Sequence, residues 1–129
     1  MKAFVLSRYG GPEAAELRDM PRPKPGPGEV LVRVRAAGLN PVDFKIRQGK
    51  LKPIYRFPLP IVMGGEFAGV VEERGEGVSG FAVGDRVFAR TDKTAMGAFA
   101  EHAVISAELL ARMPDGLDFE TAAGVPLAG

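Results

Sequence analysis

The chain has no cysteine and no tryptophan, and His102 is its only histidine. Without a thiol, a disulfide framework, a thiolate zinc site, a redox Cys-x-x-Cys pair and a cysteine nucleophile are all excluded. A metal site would have to be built almost wholly from carboxylates. An excess of one charge is lacking too, with 17 Lys and Arg against 16 Asp and Glu and a formal net charge of +1. The basic residues are spread from Lys2 to Arg112 and form no cluster, so no nucleic-acid partner is expected. Long hydrophobic runs are also missing. The run Ala3-Phe4-Val5-Leu6 is far shorter than a signal-peptide core, and Arg8 interrupts it. No stretch approaches the roughly 20 apolar residues of a membrane span. The expectation is a cytoplasmic protein with no membrane partner.

Chain-breaking residues are abundant by contrast. The 129 residues include 17 glycines and 11 prolines, more than a helical bundle or coiled coil can absorb. Disorder is not implied, because 46% of the residues are apolar and they are patterned. The length suits one domain with one core. Turn-rich β structure is what remains.

Residues 2–8 read as a strand closed by the turn Tyr9-Gly10-Gly11-Pro12. Residues 21–28, Pro-Arg-Pro-Lys-Pro-Gly-Pro-Gly, form a stiff loop of polyproline character, read as a spacer in preference to a docking ligand. Residues 29–37 show the clearest period of two, with Val30, Val32, Val34 and Ala36 on one face and Arg33 and Arg35 on the other. Asn40 is a good N-cap, Pro41 suits the first helical position and Gly49 is a natural stop, which predicts a short helix over 41–48. Prolines keep residues 53–60 a loop. Further strands are predicted over 69–74, 85–90, 98–105 and 109–112, then a turn at Pro114-Asp115-Gly116 and a helix from Phe119 to Ala123 capped by Asp118. The sum is six or seven strands and two small helices. That is a mainly β chain with short helices, folded as a partly open β-barrel.

Few residues stand out chemically. Gly75-Glu76-Gly77-Val78-Ser79-Gly80 matches GxGxxG, but no helical period follows it, so it reads as a hairpin loop. Asp85 with Glu66, or Asp43 with Glu66, could serve as an acid–base pair, yet no spacing brings either together. His102 lies in a plain strand, alternating with Phe99, Glu101 and Ala103, as a surface or rim histidine.

The order of the pieces carries more. Gly38-Leu39-Asn40-Pro41-Val42-Asp43, Gly64-Gly65-Glu66-Phe67-Ala68-Gly69-Val70-Val71, Gly84-Asp85-Arg86-Val87, Gly97-Ala98-Phe99-Ala100-Glu101 and Pro114-Asp115-Gly116-Leu117 follow one another in that order. The small-residue run at 122–129 closes the series. The chain thereby resembles the medium-chain dehydrogenase/reductase superfamily, and within it the zinc-independent quinone oxidoreductase and enone reductase branch. The resemblance implies that residues 1–129 are the GroES-like N-terminal, substrate-side domain of an NADPH-dependent enzyme. Residues 122–129 would lead into a Rossmann domain that holds most of the cofactor. The zinc-dependent relatives place a cysteine ligand at the position of Asn40, a histidine ligand at that of Gly65 and a proton-relay histidine at that of Lys45. Their structural-zinc lobe would fall between Val87 and Gly97. The ligands are gone, so no zinc is expected.

The resemblance further implies hydride transfer to a small carbonyl or quinone substrate. Asn40 would bind the nicotinamide ribose or the substrate carbonyl, Phe44 would bound the pocket, and Lys45 would donate to a developing enolate or quinol oxygen. Asn40 as a plain N-cap and Lys45 as a solvated surface residue remain open readings. The 129-residue chain alone is expected not to turn over NADPH. Uncovered apolar surface along the cleft and at 122–129 would favour a homo-oligomer. The competing account is a free-standing GroES-like binding module without catalysis.

Overall fold

In the computed structural model, residues 1–53, 57–92 and 96–124 are described. Their strands are β1 (Lys2–Leu6), β2 (Ala15–Asp19), β3 (Glu29–Ala37), β4 (Ile61–Val62), β5 (Glu66–Arg74), β6 (Arg86–Arg90), β7 (His102–Ser106) and β8 (Leu110–Arg112). The helices are α1 (Pro41–Arg47) and α2 (Phe119–Ala123). All strand pairs are antiparallel, in a three-stranded sheet ordered β2-β1-β4 and a five-stranded sheet ordered β7-β3-β5-β6-β8. A bridge between Ala3 and Ala100, with Phe4 N–H donating to the Phe99 carbonyl, fastens the small sheet to the chain entering β7. The result is the mainly β, partly open barrel read from the sequence.

Two of the expected strands are displaced or extended. Residues 98–101 make irregular bonds to Lys2, Phe4, Met63 and Gly64, so β7 begins only at His102. β5 starts at Glu66, earlier than expected, because residues 67–69 pair with both β3 and β6 and Glu66 pairs with β6. β2 and β4 were not foreseen. In β2 the alternation of Ala15 and Leu17 with Glu16 and Arg18 spans only five residues, and β4 has only two. Both are strands because β1 supplies their hydrogen bonds.

The side-chain period on β3 fails at one point. Val30, Val32 and Val34 pack toward the inner core with Phe67, Val71, Val87 and Ile105. Ala36 instead packs on the outer cluster of Ala68, Met113, Ala122 and Ala123, and Ala37 takes its place inside. A register shift between Val34 and Ala36 inserts one residue, which moves the following side chain to the other face. Gly69 sits opposite at Val34, where an added Cβ would stand 2.1 Å from the Arg33 carbonyl oxygen. Only glycine permits that approach.

α1 seals a second core, in which Ile46 meets Leu6, Phe57, Met63 and Met96. α2 covers the outer face of the large sheet, and Asp118 caps it by accepting from Thr121 N–H at 2.7 Å. Ala122 and Ala123 are buried there. The expectation of an uncovered apolar tail therefore does not hold for these two, because α2 turns them onto Ala68. Residues 125–129 lie outside the described residues. The GxGxxG segment is the loop between β5 and β6, with Gly77 and Gly80 at positive φ and no helix. Among the described residues no helix is long and apolar enough to cross a membrane.

Candidate functional site

The loop after β3 and the first turn of α1 meet the start of β5. Pro41 opens the helix without losing a hydrogen bond, since its missing N–H is one the first turn cannot use. Asp43, at the third helical position, accepts from the Asn40 backbone N–H at 2.8 Å, and its own N–H donates to the Asn40 carbonyl at 3.0 Å. The main chain of Asn40 is thus clamped from both sides by one residue. Gln48 ends the helix, and Gly49 at φ 78° turns the chain away. The helix occupies one residue less than expected because Gln48 is its C-cap.

Asn40 is more than a cap. Its side-chain Nδ2 donates to Glu66 Oε1 at 2.9 Å. Glu66 is only 2% exposed and Asp43 5% exposed, so two buried carboxylates converge on one asparagine. Sequence spacing had kept Asp43 and Glu66 apart; the β3–β5 pairing and the turn into α1 bring them together. Burial pushes the Asp43 carboxyl above its ordinary value. The Asn40 backbone hydrogen bond opposes that rise, and the nearby Glu66 charge adds to it. Asp85 is not part of this group: its carboxylate lies 3.2 Å from Arg112 and accepts from Ala82 N–H.

Gly38 completes the enclosure. A Cβ there would stand 2.0 Å from Glu66 Oε1 and 2.7 Å from its Cγ. Backbone and carboxylate therefore share space that a side chain would fill. On the other side, Thr91 is buried, donates its backbone N–H to the Gly65 carbonyl at 2.8 Å and sets its hydroxyl near the same oxygen. Gly38 entered the sequence reading only as the first residue of an ordered segment, and Thr91 not at all. The signal for Gly38 was present, since a glycine directly after a strand and two residues before an N-cap invites a question about what approaches it.

α1 turns Asp43 and Ile46 inward and Phe44 and Lys45 outward. Leu39 is 76% exposed and Phe44 54% exposed, an apolar rim beside the Asn40 amide. Arg47 lies over the Phe44 ring, 5.6 Å from its centre. Lys45 is exposed and forms no ion pair among the described residues, so the structure does not join it to Asn40 and Glu66. His102 is at the rim of another face, half-buried, with Nε2 2.8 Å from Glu72.

The donor set does not fit zinc. Asn40 carries a neutral amide in place of a thiolate, and Gly65 has no side chain. Among the described residues no three His, Asp or Glu side chains group as metal ligands. Tetrahedral zinc sites are built from thiolates and imidazoles with at most a carboxylate or two.

Comparison with known proteins agrees with this architecture. The profile of the alcohol dehydrogenase GroES-like domain matches residues 26–115. A quinone oxidoreductase of Pseudomonas aeruginosa is 46% identical over 129 residues, covering 99% of this chain and 38% of that protein. The chloroplastic NADPH-dependent alkenal/one oxidoreductase of Arabidopsis thaliana is 42% identical over 135 residues, covering 99% of this chain and 35% of that protein. The crystal structure of the Escherichia coli quinone oxidoreductase in complex with NADPH superposes with a TM-score of 0.87 at 32% identity, over 97% of this chain and 37% of that one. The chain spans less than two-fifths of the length of these relatives. Fold, ordered motifs and likeness agree: the chain belongs to the alcohol dehydrogenase GroES-like domain family, in the quinone oxidoreductase-like part of the medium-chain dehydrogenase/reductase superfamily.

Proposed function

We propose that this chain is the N-terminal, substrate-side domain of an NADPH-dependent reductase that transfers hydride to quinones or activated alkenes without zinc. The observation that carries the reading is the head of α1. There an asparagine amide, polarised by a buried carboxylate, stands beside the exposed Leu39 and Phe44. The names of the relatives point the same way, to quinones and to alkenals and enones.

The residues suit a planar, partly polar ligand. Leu39 and Phe44 offer apolar surface that excludes water from one side of a ring. Asn40 keeps its second amide hydrogen for a ribose hydroxyl or a substrate carbonyl. Lys45 carries a flexible ammonium one residue beyond Phe44, and it donates to the oxygen that gains charge as an enolate or quinol forms. NADPH, when bound, supplies the hydride, and the protein supplies position and electrostatics. The greater part of the cofactor contacts belongs to a nucleotide-binding domain such as the remaining length of the relatives accommodates. The enzyme works in the cytoplasm.

The test is NADPH oxidation with a simple quinone and with an enone. The 129-residue chain alone is expected to be inert, and the longer protein containing it active. Turnover by the 129-residue chain refutes the half-site arrangement. A longer protein inert with both acceptors refutes the reductase.

A further inference from the structure

Glu66 is a buried carboxylate set directly before the fully buried Phe67 and Ala68. Its Oε1 accepts from Asn40 Nδ2. An asparagine amide can turn over about its last torsion, exchanging oxygen for nitrogen at small cost. A carboxylate only accepts, so facing Glu66 the amide must present its nitrogen. Gly38, where an added Cβ would overlap Glu66 Oε1, leaves the room that this carboxylate occupies. Meanwhile the Asn40 main chain is held separately, by the Asp43 carboxylate and N–H. Main-chain position and amide polarity therefore have different owners.

We propose that Glu66 is a positioning residue: its carboxylate sets which hydrogen-bonding groups Asn40 shows to a ligand. The proposal rests on the reductase reading, in which Asn40 meets substrate or cofactor ribose. Asp43 holds the cap, and Glu66 holds the polarity of the amide. Loss of Glu66 frees the amide to turn while α1 stays capped.

Two measurements decide it. In the 129-residue chain, one of the two Asn40 side-chain amide protons is expected to be protected from solvent exchange by NMR. Protection should disappear in Glu66→Gln, whose amide can take either orientation. Equal exchange of the two protons in the unsubstituted chain overturns the proposal, whatever the variant does. In the longer protein, Asn40→Asp sets two carboxylates against each other and lowers both stability and turnover. Adding Glu66→Gln restores a hydrogen bond between the pair with its direction reversed. The thermal midpoint is expected to recover, while turnover stays down by about tenfold or more, the loss typical of a ligand group that has lost its donor. Recovery of both shows a purely structural bond and overturns the proposal. If the longer protein proves inert with every acceptor, the reductase reading falls, and the amide-exchange result still decides whether Glu66 orients Asn40.

Discussion

Gly38→Ala probes the site at its narrowest point. The new methyl would stand 2.0 Å from Glu66 Oε1, 2.6 Å from Cδ and 2.7 Å from Cγ, so the whole carboxylate must retreat by more than an ångström. A flexible side-chain end at a surface would yield cheaply. Glu66 is 2% exposed, and the residues after it are fully buried in a strand paired on both sides. Retreat breaks the 2.9 Å bond from Asn40. Overpacking costs about 1–3 kcal/mol, and a lost hydrogen bond to a charged group about 1.5–3 kcal/mol. Replacing glycine at a φ that alanine tolerates returns about 0.4–1 kcal/mol through the unfolded chain. The net loss is about 2–5 kcal/mol, and at about 4 °C per kcal/mol for a chain of this size the midpoint falls by about 8–20 °C. Far-UV circular dichroism is the suitable probe, because the chain has no tryptophan. In a Glu66→Ala background the obstructing group is gone, and Gly38→Ala should cost less than about 0.5 kcal/mol. A Gly38→Ala midpoint equal to that of the parent chain, or the same loss in both backgrounds, refutes the reasoning.

Gly69→Ala drives its methyl to 2.1 Å from the Arg33 carbonyl oxygen, a backbone atom that cannot swing aside. A loss of about 3 kcal/mol or more in urea unfolding is expected, and an unchanged urea midpoint contradicts it. Asp43 has its carboxyl raised by burial, with the Glu66 charge adding to the rise, so the folded chain binds that proton more tightly than the unfolded chain. Its contribution to stability is present at acid pH and is lost as pH rises from about 3.9 through the raised folded value. Asp43→Asn keeps an acceptor for Asn40 N–H and removes this dependence. Its stability relative to the parent should therefore improve as pH rises toward neutrality, and a difference constant with pH would count against the assignment. Exposed Leu39 and Phe44, with the cross-strand pair Phe4 and Leu17 on the small sheet, favour self-association. Light scattering on concentrated chain should show dimers or larger species, and a clean monomer at every concentration contradicts this.

The sequence by itself determined the class of fold. Glycine and proline spacing excluded a helical architecture, and Asn40-Pro41 with Gly49 marked α1 to within a residue at its end. Such signals are local: a cap, a missing N–H and a positive φ act within one turn of chain. The ordered glycine-containing segments also pointed to the family. What the sequence could not specify were the contacts that depend on pairing partners. β2 is only five residues long, and it is a strand because the edge of β1 is open to pair with it. Ala36 faces outward because an extra residue enters the β3 ladder opposite Gly69, an event invisible in a pattern of alternating side chains. Glu66 and Asp43 lie more than a sheet pairing apart along the chain, and only the register of β3 on β5 sets both against Asn40. The sequence supplied the asparagine, but its orientation comes from a buried carboxylate that tertiary structure alone delivers. Hydrogen bonds between side chains on separate elements carry no local signature, since their free energy exists only once the elements have packed.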